Sequence, residues 1–422
     1  MVKQNYKPYI VLGSSTVSFT VCFMIWMMFA VIGVPLKEQL GLTETQFGIL
    51  TALPVLSGSL IRIPLGIWTD RFGGRIVFFI LMMSCVIPIF LLQYATAYWQ
   101  LLIIGLFIGL AGGSFSVGTP YVARWFTKDR QGLAMGIFGA GNAGAAVNKL
   151  IAPAIVLAWG WQMVPNVYAI IMLATAILFY VFSYSKPEHI VSSEQVTLRQ
   201  QLAMMKDPAV LRYCQYYSVV FGGYVGLSLW MVHYYVDEYG FTLTTAAFLA
   251  ACFSLPGGVL RAFGGWLSDK YGAYKITWAV MWVCLVVFFI LSYPQTKMLI
   301  GTVNPDAPLS ITIGINAFWF TVLLFFAGIA MAIGKASVFK FISDEFSDNI
   351  GTVSGVVGLA GGLGGFLLPI MFGALVDITG IRSSSFMLLF GTVAVSLIWM
   401  HFSFKSMQIK NLQKSGKLAS NK

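Results

Sequence analysis

The chain has 422 residues, of which 58% are hydrophobic, 15% aromatic and only 10% charged. That apolar share lies well above the roughly 45–50% of a soluble domain, which excludes a water-soluble enzyme and implies an integral membrane protein. The net charge of +11 then calls for a topological explanation before a nucleic-acid partner is invoked.

Apolar runs long enough to cross about 30 Å of hydrocarbon as helices recur along the chain. Six fall at 9–34, 45–69, 75–94, 98–123, 131–157 and 163–184. Six more fall at 211–236, 243–268, 274–293, 312–340, 352–375 and 383–404. They are helices one to twelve. Hydrocarbon offers no water to backbone groups and the runs do not alternate, so helices are expected rather than barrel strands. The first run is too long for a signal peptide and no small-residue cleavage site follows it, so it is kept as a spanning helix.

Residues 185–210 are polar and separate the two sets of six. The expected organisation is an N-terminal six-helix bundle (1–184), a cytoplasmic linker (185–210), a C-terminal bundle (211–404) and a basic tail (405–422). Placing the N-terminus in the cytoplasm puts 19 Lys and Arg residues on that side, against only Lys37, Lys297 and Arg382 on the other. This bias predicts a multi-pass protein of the cytoplasmic (inner) membrane with both termini inside. Topology thus accounts for most of the positive charge, and the lysine-rich tail suits an anionic lipid surface. Cys22, Cys85, Cys214, Cys252 and Cys284 lie in or beside apolar runs without metal or disulfide spacing. They read as small core residues, and neither metal nor cofactor is expected.

The halves repeat. Adding 199 to Gly58, Arg62, Gly66, Asp70, Arg71 and Gly73 gives Gly257, Arg261, Gly265, Asp269, Lys270 and Gly272. A second match, at offset 219, carries Gly136 and Gly139 onto Gly355 and Gly358 in helices five and eleven. Arg62 precedes Asp70 by eight residues, about 12 Å along a helix, and Arg261 stands in the same relation to Asp269. A charge at that depth costs on the order of 3 kcal/mol on insertion scales, so it normally faces a cavity and serves function. Every Asp and Glu falls in a loop or near a helix end, leaving the arginines without an acidic partner in the interior. Two permanently charged planar forks at matching depth suit a small planar oxyanion.

The Gly-x-x-x-Asp-Arg/Lys-x-Gly pattern after helices two and eight resembles the cytoplasmic loop motif of the major facilitator superfamily. Within it the chain resembles the nitrate/nitrite porter family. The paired arginines carry that resemblance, with GLAMGIFGAGNAGAAVNKLIAP in helix five and GTVSGVVGLAGGLGGFLLPIMFG in helix eleven. The resemblance implies an all-α fold of twelve transmembrane helices in two pseudo-symmetric bundles, functional as a monomer. It also implies that Phe115 and Phe221 cover the two faces of a flat ion while Tyr217 and Asn142 donate at its edge. Tyr217 and Phe221, four apart, share a helix face.

The glycines of helices five and eleven carry two readings. Gly136, Gly139, Gly141, Gly144, Gly355, Gly358, Gly361, Gly362, Gly364 and Gly365 allow close helix packing, or form a bare wall beside the ion along which helices slide. In the loop motifs Gly66, Asp70, Arg71, Gly73 and Arg75, with Gly265, Asp269, Lys270 and Gly272, are expected to latch neighbouring helices as well as set topology. Lys149 and Lys335 also fall within apolar runs. Either they snorkel towards an interface or helix end, or they face the centre as proton-coupling groups that gain a proton with the anion and shed it with the anion. Their helices resemble the class of these porters presumed to be nitrate/proton symporters.

The expectation is therefore a nitrate carrier, with nitrate/proton symport preferred. Nitrate/nitrite antiport and a small organic-anion carrier for formate or oxalate are the alternatives. A cation antiporter is disfavoured because no buried acid exists to bind the cation, and an enzyme because no phosphate loop or metal cluster is found. Of the three histidines, His189, His233 and His401, only His233 lies near a helix end of interest, where an interfacial role is expected.

Overall fold

The computed structural model describes residues 6–185, 206–300, 309–346 and 350–414. Most of the expected linker lies outside the described residues, as do His189 and the tail lysines Lys417 and Lys422.

Among the described residues eleven helices are long and apolar enough to cross a membrane. In chain order helices one to seven are Lys7–Leu40, Glu44–Phe72, Gly74–Tyr94, Tyr98–Ala123, Arg130–Trp159, Met163–Phe182 and Pro208–Tyr239. Helix eight is a pair, Leu243–Val259 and Arg261–Tyr271, bent by 48°. Helices nine to twelve are Ala273–Leu291, Ala317–Glu345, Val353–Thr379 and Ser384–Lys405. Twelve crossings bring the beginning and the end of the chain to one face, called here the terminal face.

The 199-residue repeat reaches further into the backbone than the six matched residues. Gly41 and Gly240 end helices one and seven in the left-handed region, at φ +61° and +67°. Two residues on, Thr43 and Thr242 cap helices two and eight, their hydroxyls accepting from Gln46 N and Thr245 N. Both helices then break one residue before their arginine, at Ile61 and Leu260. Both turn into the next helix at a glycine with φ near +86°, Gly73 (+86°) and Gly272 (+87°). The same local signals thus produce the same elbow in each bundle.

One expectation fails between helices nine and ten. Helix ten starts at Ala317, not at 312, because Thr296–Ile300 and Leu309–Ile313 form an antiparallel hairpin, β1 and β2, with Thr296 opposite Ile313. The second strand alternates apolar and polar residues, which favours an extended chain over a helix turn. The helix itself begins where the Asn316 side chain accepts from Trp319 N at 3.0 Å. Helix one also runs on to Leu40 rather than stopping at 34.

The bundles meet along three helix pairs: two with eleven, five with eight, and one with seven. Small residues permit the close approaches. A Cβ on Gly48 of helix two would lie 2.9 Å from the Pro369 carbonyl carbon and 3.0 Å from Ile370 Cα of helix eleven. A Cβ on Gly258 of helix eight would meet the Ala143 backbone nitrogen of helix five at 2.5 Å. Within the first bundle the Trp26 indole donates to Pro54 O at 2.8 Å, tying helix one to helix two.

The seam makes a test. Gly48→Val is expected to lower stability by about 1–3 kcal/mol, the usual cost of overpacking against a backbone that cannot yield. Gly13→Val, whose side chain would enter open space, serves as control. Thermal unfolding of the purified proteins reads the difference, and equal midpoints would refute a tight seam at Gly48.

Candidate anion site

Five helices lose regularity at one depth. Helices two and eight break at Ile61 and Leu260, helix four tightens to 3₁₀ over Gly109–Gly113, and helix five does so over Ala140–Ala143. Helix seven widens into a π-turn over Ser218–Gly222. Irregular backbone at membrane depth is tolerated where it borders a cavity, and π-turns cluster at functional sites.

A small enclosed cavity lies between these breaks, lined by Phe19, Phe23, Arg62, Gly112, Phe115, Asn142, Tyr217, Phe221 and Arg261. The six residues expected at an anion site from the sequence, Arg62, Arg261, Tyr217, Asn142, Phe115 and Phe221, all line it. Phe19, Phe23 and Gly112 were not foreseen. The two phenylalanines, four apart on helix one, show only an aromatic spacing common in a chain with 34 of them. The open space is about 10 Å³, near the volume that holds one water, so a guest of even a few atoms enters only as the walls move apart.

Each arginine reaches an aromatic ring of the other bundle. The Arg62 guanidinium carbon lies 5.5 Å from the Phe221 ring centre and 5.8 Å from that of Trp26. That of Arg261 lies 5.2 Å from Phe115 and 5.3 Å from Phe339. Arg62 Nη1 donates to Gly358 O at 3.2 Å, again across the seam. Among the described residues neither arginine has an acidic partner. Among the described residues two buried donors, Arg62 Nε and Asn142 Nδ2, also have no hydrogen-bond partner. Ring faces offer cations some compensation but accept no strong hydrogen bond, so the cavity has an excess of donors. Tyr217 stacks on Phe221 at 5.2 Å with 6° between the rings, presenting its hydroxyl from the same wall.

The two lysines neither snorkel nor line the cavity. Lys149 and Lys335 are 1% and 0% exposed. Lys149 Nζ donates to Ala145 O at 3.2 Å and, across the seam, to Ser254 Oγ at 2.8 Å. Lys335 Nζ donates to Gly257 O at 2.6 Å and sits 3.6 Å from the Tyr224 ring centre.

The glycines divide. Gly139, Gly358 and Gly361 stand beside Arg261, Arg62 and the Tyr217–Phe221 pair respectively. Gly136 faces Ala262, Gly141 faces Phe19, Gly144 the helix-one backbone, Gly362 Ser59, Gly364 Ser218 and Gly365 Val225, which are packing contacts. Gly355 is exposed.

At the terminal face the two loop acids make equivalent contacts inside their own bundles. Asp70 pairs with Arg124, the residue that caps the end of helix four, and Asp269 with Lys340 of helix ten at 3.2 Å. Arg75 Nη2 donates to Tyr180 O at 2.6 Å, while Lys270 lies over Trp266 and Tyr271 at 5.2 Å. Gly66 and Gly265 have open space on the Cβ side.

The opposite face is joined by an ionic cluster between bundles. Lys37 Nζ lies 2.8 Å from Glu44, 3.3 Å from Asp237 and 3.4 Å from His233 Nε2, and His233 lies 2.6 Å from Glu44. The interfacial reading of His233 is therefore corrected: it is 2% exposed, held at the seam between Phe47 and Trp230. Glu44, His233 and Asp237 are close enough to hold a metal, a grouping not foreseen because Glu44 lies 189 residues before the His233–Asp237 pair. The Lys37 ammonium already provides a cation in contact with all three. Asp377 of helix eleven completes the closure by accepting from Glu44 N at 3.1 Å and Thr45 N at 2.8 Å, at the start of helix two.

Twelve crossings in two repeated bundles around a mid-depth cavity define a multi-pass membrane transporter of the Major Facilitator Superfamily, whose family description matches residues 15–315. The same architecture appears in a bacterial homologue of the human lysosomal transporter Spinster, solved in an inward-facing and occupied conformation. It aligns with a TM-score of 0.71 and 14% identity over 95% of this chain and 98% of that one. Within the superfamily the chain belongs to the nitrate/nitrite porter family. It is 38% identical to a probable nitrate/nitrite antiporter, NarK1, of Thermus thermophilus, over 93% of this chain and 91% of that protein. It is 32% identical to a probable nitrate transporter, NarT, of Staphylococcus carnosus, over 93% and 95%. A nitrite extrusion protein of Bacillus subtilis (strain 168) is 29% identical over 94% and 95%.

The cluster at the opposite face yields its own expectation. Lys37→Met leaves Glu44 and Asp237 around His233 without their counter-charge and should cost about 1–2 kcal/mol of stability. Thermal unfolding measures it. An unchanged midpoint would mean that the cluster does not hold the bundles together.

Proposed function

We propose that this protein carries nitrate across the cytoplasmic membrane by alternating access, with both termini in the cytoplasm, as a monomer, and that protons accompany the ion. The observation that carries the substrate is the excess of buried donors: two guanidiniums with no carboxylate, and an unpartnered Asn142 amide, around a cavity for a very small guest. Nitrate presents three acceptor oxygens in one plane and no donor, so it meets forks at its edges and rings at its faces. The printed names of the relatives support nitrate and nitrite as the substrates. The tight fit disfavours oxalate more than formate.

Orientation is supported by the 19 to 3 distribution of Lys and Arg between the two faces. The terminal face is then cytoplasmic, and the Lys37 cluster closes the outer side. Transport needs that closure to open while the cytoplasmic ends come together, a rocking of one bundle against the other.

Proton linkage is supported by Lys149 and Lys335. An ammonium can lose its proton where a guanidinium cannot, so an empty carrier can shed charge before it returns. A second reading, exchange of nitrate for nitrite, is favoured by the name of the Thermus relative. Parallel recording of internal pH and nitrate in proteoliposomes, with and without trapped nitrite, separates the two. Acidification that accompanies nitrate entering nitrite-free vesicles supports symport; uptake that requires trapped nitrite overturns it.

Arg62→Lys tests the site itself. It keeps the charge but removes the fork, and should reduce nitrate uptake by about tenfold or more, with loss of nitrate-induced thermal stabilisation. Near-normal uptake would mean that Arg62 does not touch the ion.

A further inference from the structure

Tyr224 belongs to no motif and does not line the cavity, yet it lies between Lys335, the cavity residue Asn142 and Ser254, the partner of Lys149. It is fully buried on helix seven, two residues beyond the π-turn. Its ring carries the Lys335 ammonium 3.6 Å from its centre. The ring is fixed against helix eight, where a Cβ on Gly257 would meet Tyr224 Cδ2 at 2.8 Å. Its hydroxyl lies 2.9 Å from Ser254 O and 3.3 Å from Asn142 O. Asn142 lines the anion cavity, and Ser254 Oγ accepts from Lys149. Tyr224 therefore bears Lys335 on its ring, while its hydroxyl meets the main-chain carbonyls of Asn142, which lines the cavity, and of Ser254, whose side chain holds Lys149.

Arg261 is the charged neighbour that acts on Lys335, and the packed helices add little else. Helix one carries no charged residue between 8 and 36, helix six none between 163 and 182, and helix seven none between 213 and 232. Helix eight has none before Arg261, and helix ten none but Lys335 between 317 and 339. On helix five the next residue towards the start, Asn148, is engaged separately, accepting at Oδ1 from the Tyr168 hydroxyl of helix six at 2.8 Å. Ser228 Oγ, 3.3 Å from Ser254 Oγ, extends the polar chain within the second bundle.

The contacts also differ in what rocking does to them. Lys335, Tyr224 and Gly257 all lie on helices seven, eight and ten of the second bundle and move together. Tyr224 to Asn142, and Lys149 to Ser254, cross the seam between helix five and the second bundle and must be remade in each cycle. We propose that Tyr224 is a positioning residue for proton coupling: its ring holds the Lys335 ammonium while its hydroxyl ties that lysine to Asn142 and, through Ser254, to Lys149. The two lysines then answer together to the anion. This rests on the symport reading given above.

The test measures protons moved per nitrate in proteoliposomes, using an internal pH dye and a nitrate electrode, for wild type, Tyr224→Phe and Tyr224→Leu. Tyr224→Phe keeps the ring and loses the hydroxyl's contacts with Asn142 O across the seam and Ser254 O within the second bundle. It should retain stabilisation by nitrate but move about half as many protons per nitrate, or fewer. Tyr224→Leu also removes the seat of Lys335 and should abolish nitrate-linked proton movement. A purely structural tyrosine would alter amount or stability and leave the ratio alone. Wild-type ratios in both variants would overturn the inference while leaving symport standing. A wild-type protein that moves nitrate only against nitrite, without protons, would overturn both. Should Tyr224→Phe fail to insert, Ser254→Ala, which keeps the carbonyl but removes the hydroxyl partner of Lys149, is read on the same ratio: a lowered value supports the link from Ser254 to Lys149 and an unchanged one refutes it.

Discussion

The molecule is organised by the cost of holding two guanidiniums at the centre of a membrane without a negative neighbour. Such charges are expensive to bury, and no arginine can relieve the cost by losing its proton. The sequence therefore surrounds them with partial compensation: aromatic faces, one backbone carbonyl at Gly358 and broken helices that expose polar backbone to the cavity. None of these satisfies every donor. That shortfall is the basis on which an acceptor-only guest is proposed.

Repetition explains how the two charges come to face each other. The elbow of helices two and eight is encoded by short local signals: a glycine in the left-handed region, a threonine cap, a mid-helix break and a second glycine turn. Because both copies use the same spacing, each arginine reaches the same depth. Each then crosses to a phenylalanine of the other bundle, so the bundles are joined through the site as well as around it. The ionic cluster of Lys37, Glu44, His233 and Asp237 adds a second junction at the opposite face, where charges can separate into water when the seam parts.

Much of this was legible in the residues because charge in an apolar run is a strong signal. Arg62 and Arg261 announce their depth by their distance from Asp70 and Asp269, and the polar interval at 185–210 separates the halves by composition. What escaped was whatever depends on contact between distant segments. His233 looked like an interfacial histidine because its partners Glu44 and Lys37 lie almost 200 residues away. Phe19 and Phe23 were hidden among many equivalent phenylalanines. The hairpin at 296–313 is the one miss that local pattern could have caught, since Leu309–Ile313 alternates while a helix start requires the cap that comes later, at Asn316. The lysines occupied a middle ground: their burial was a stated option, but their attachment to Ser254, Gly257 and Tyr224 was not.

The near two-fold disposition of Arg62 over Phe221 and Arg261 over Phe115 has a further consequence. The pseudo-two-fold of such halves runs along the route of transport, so it relates one flank of the cavity to the other and leaves entrance and exit distinct. A flat ion whose edges are alike can engage the fork and ring of both flanks at once, whereas a cargo with a single charged end would engage only one.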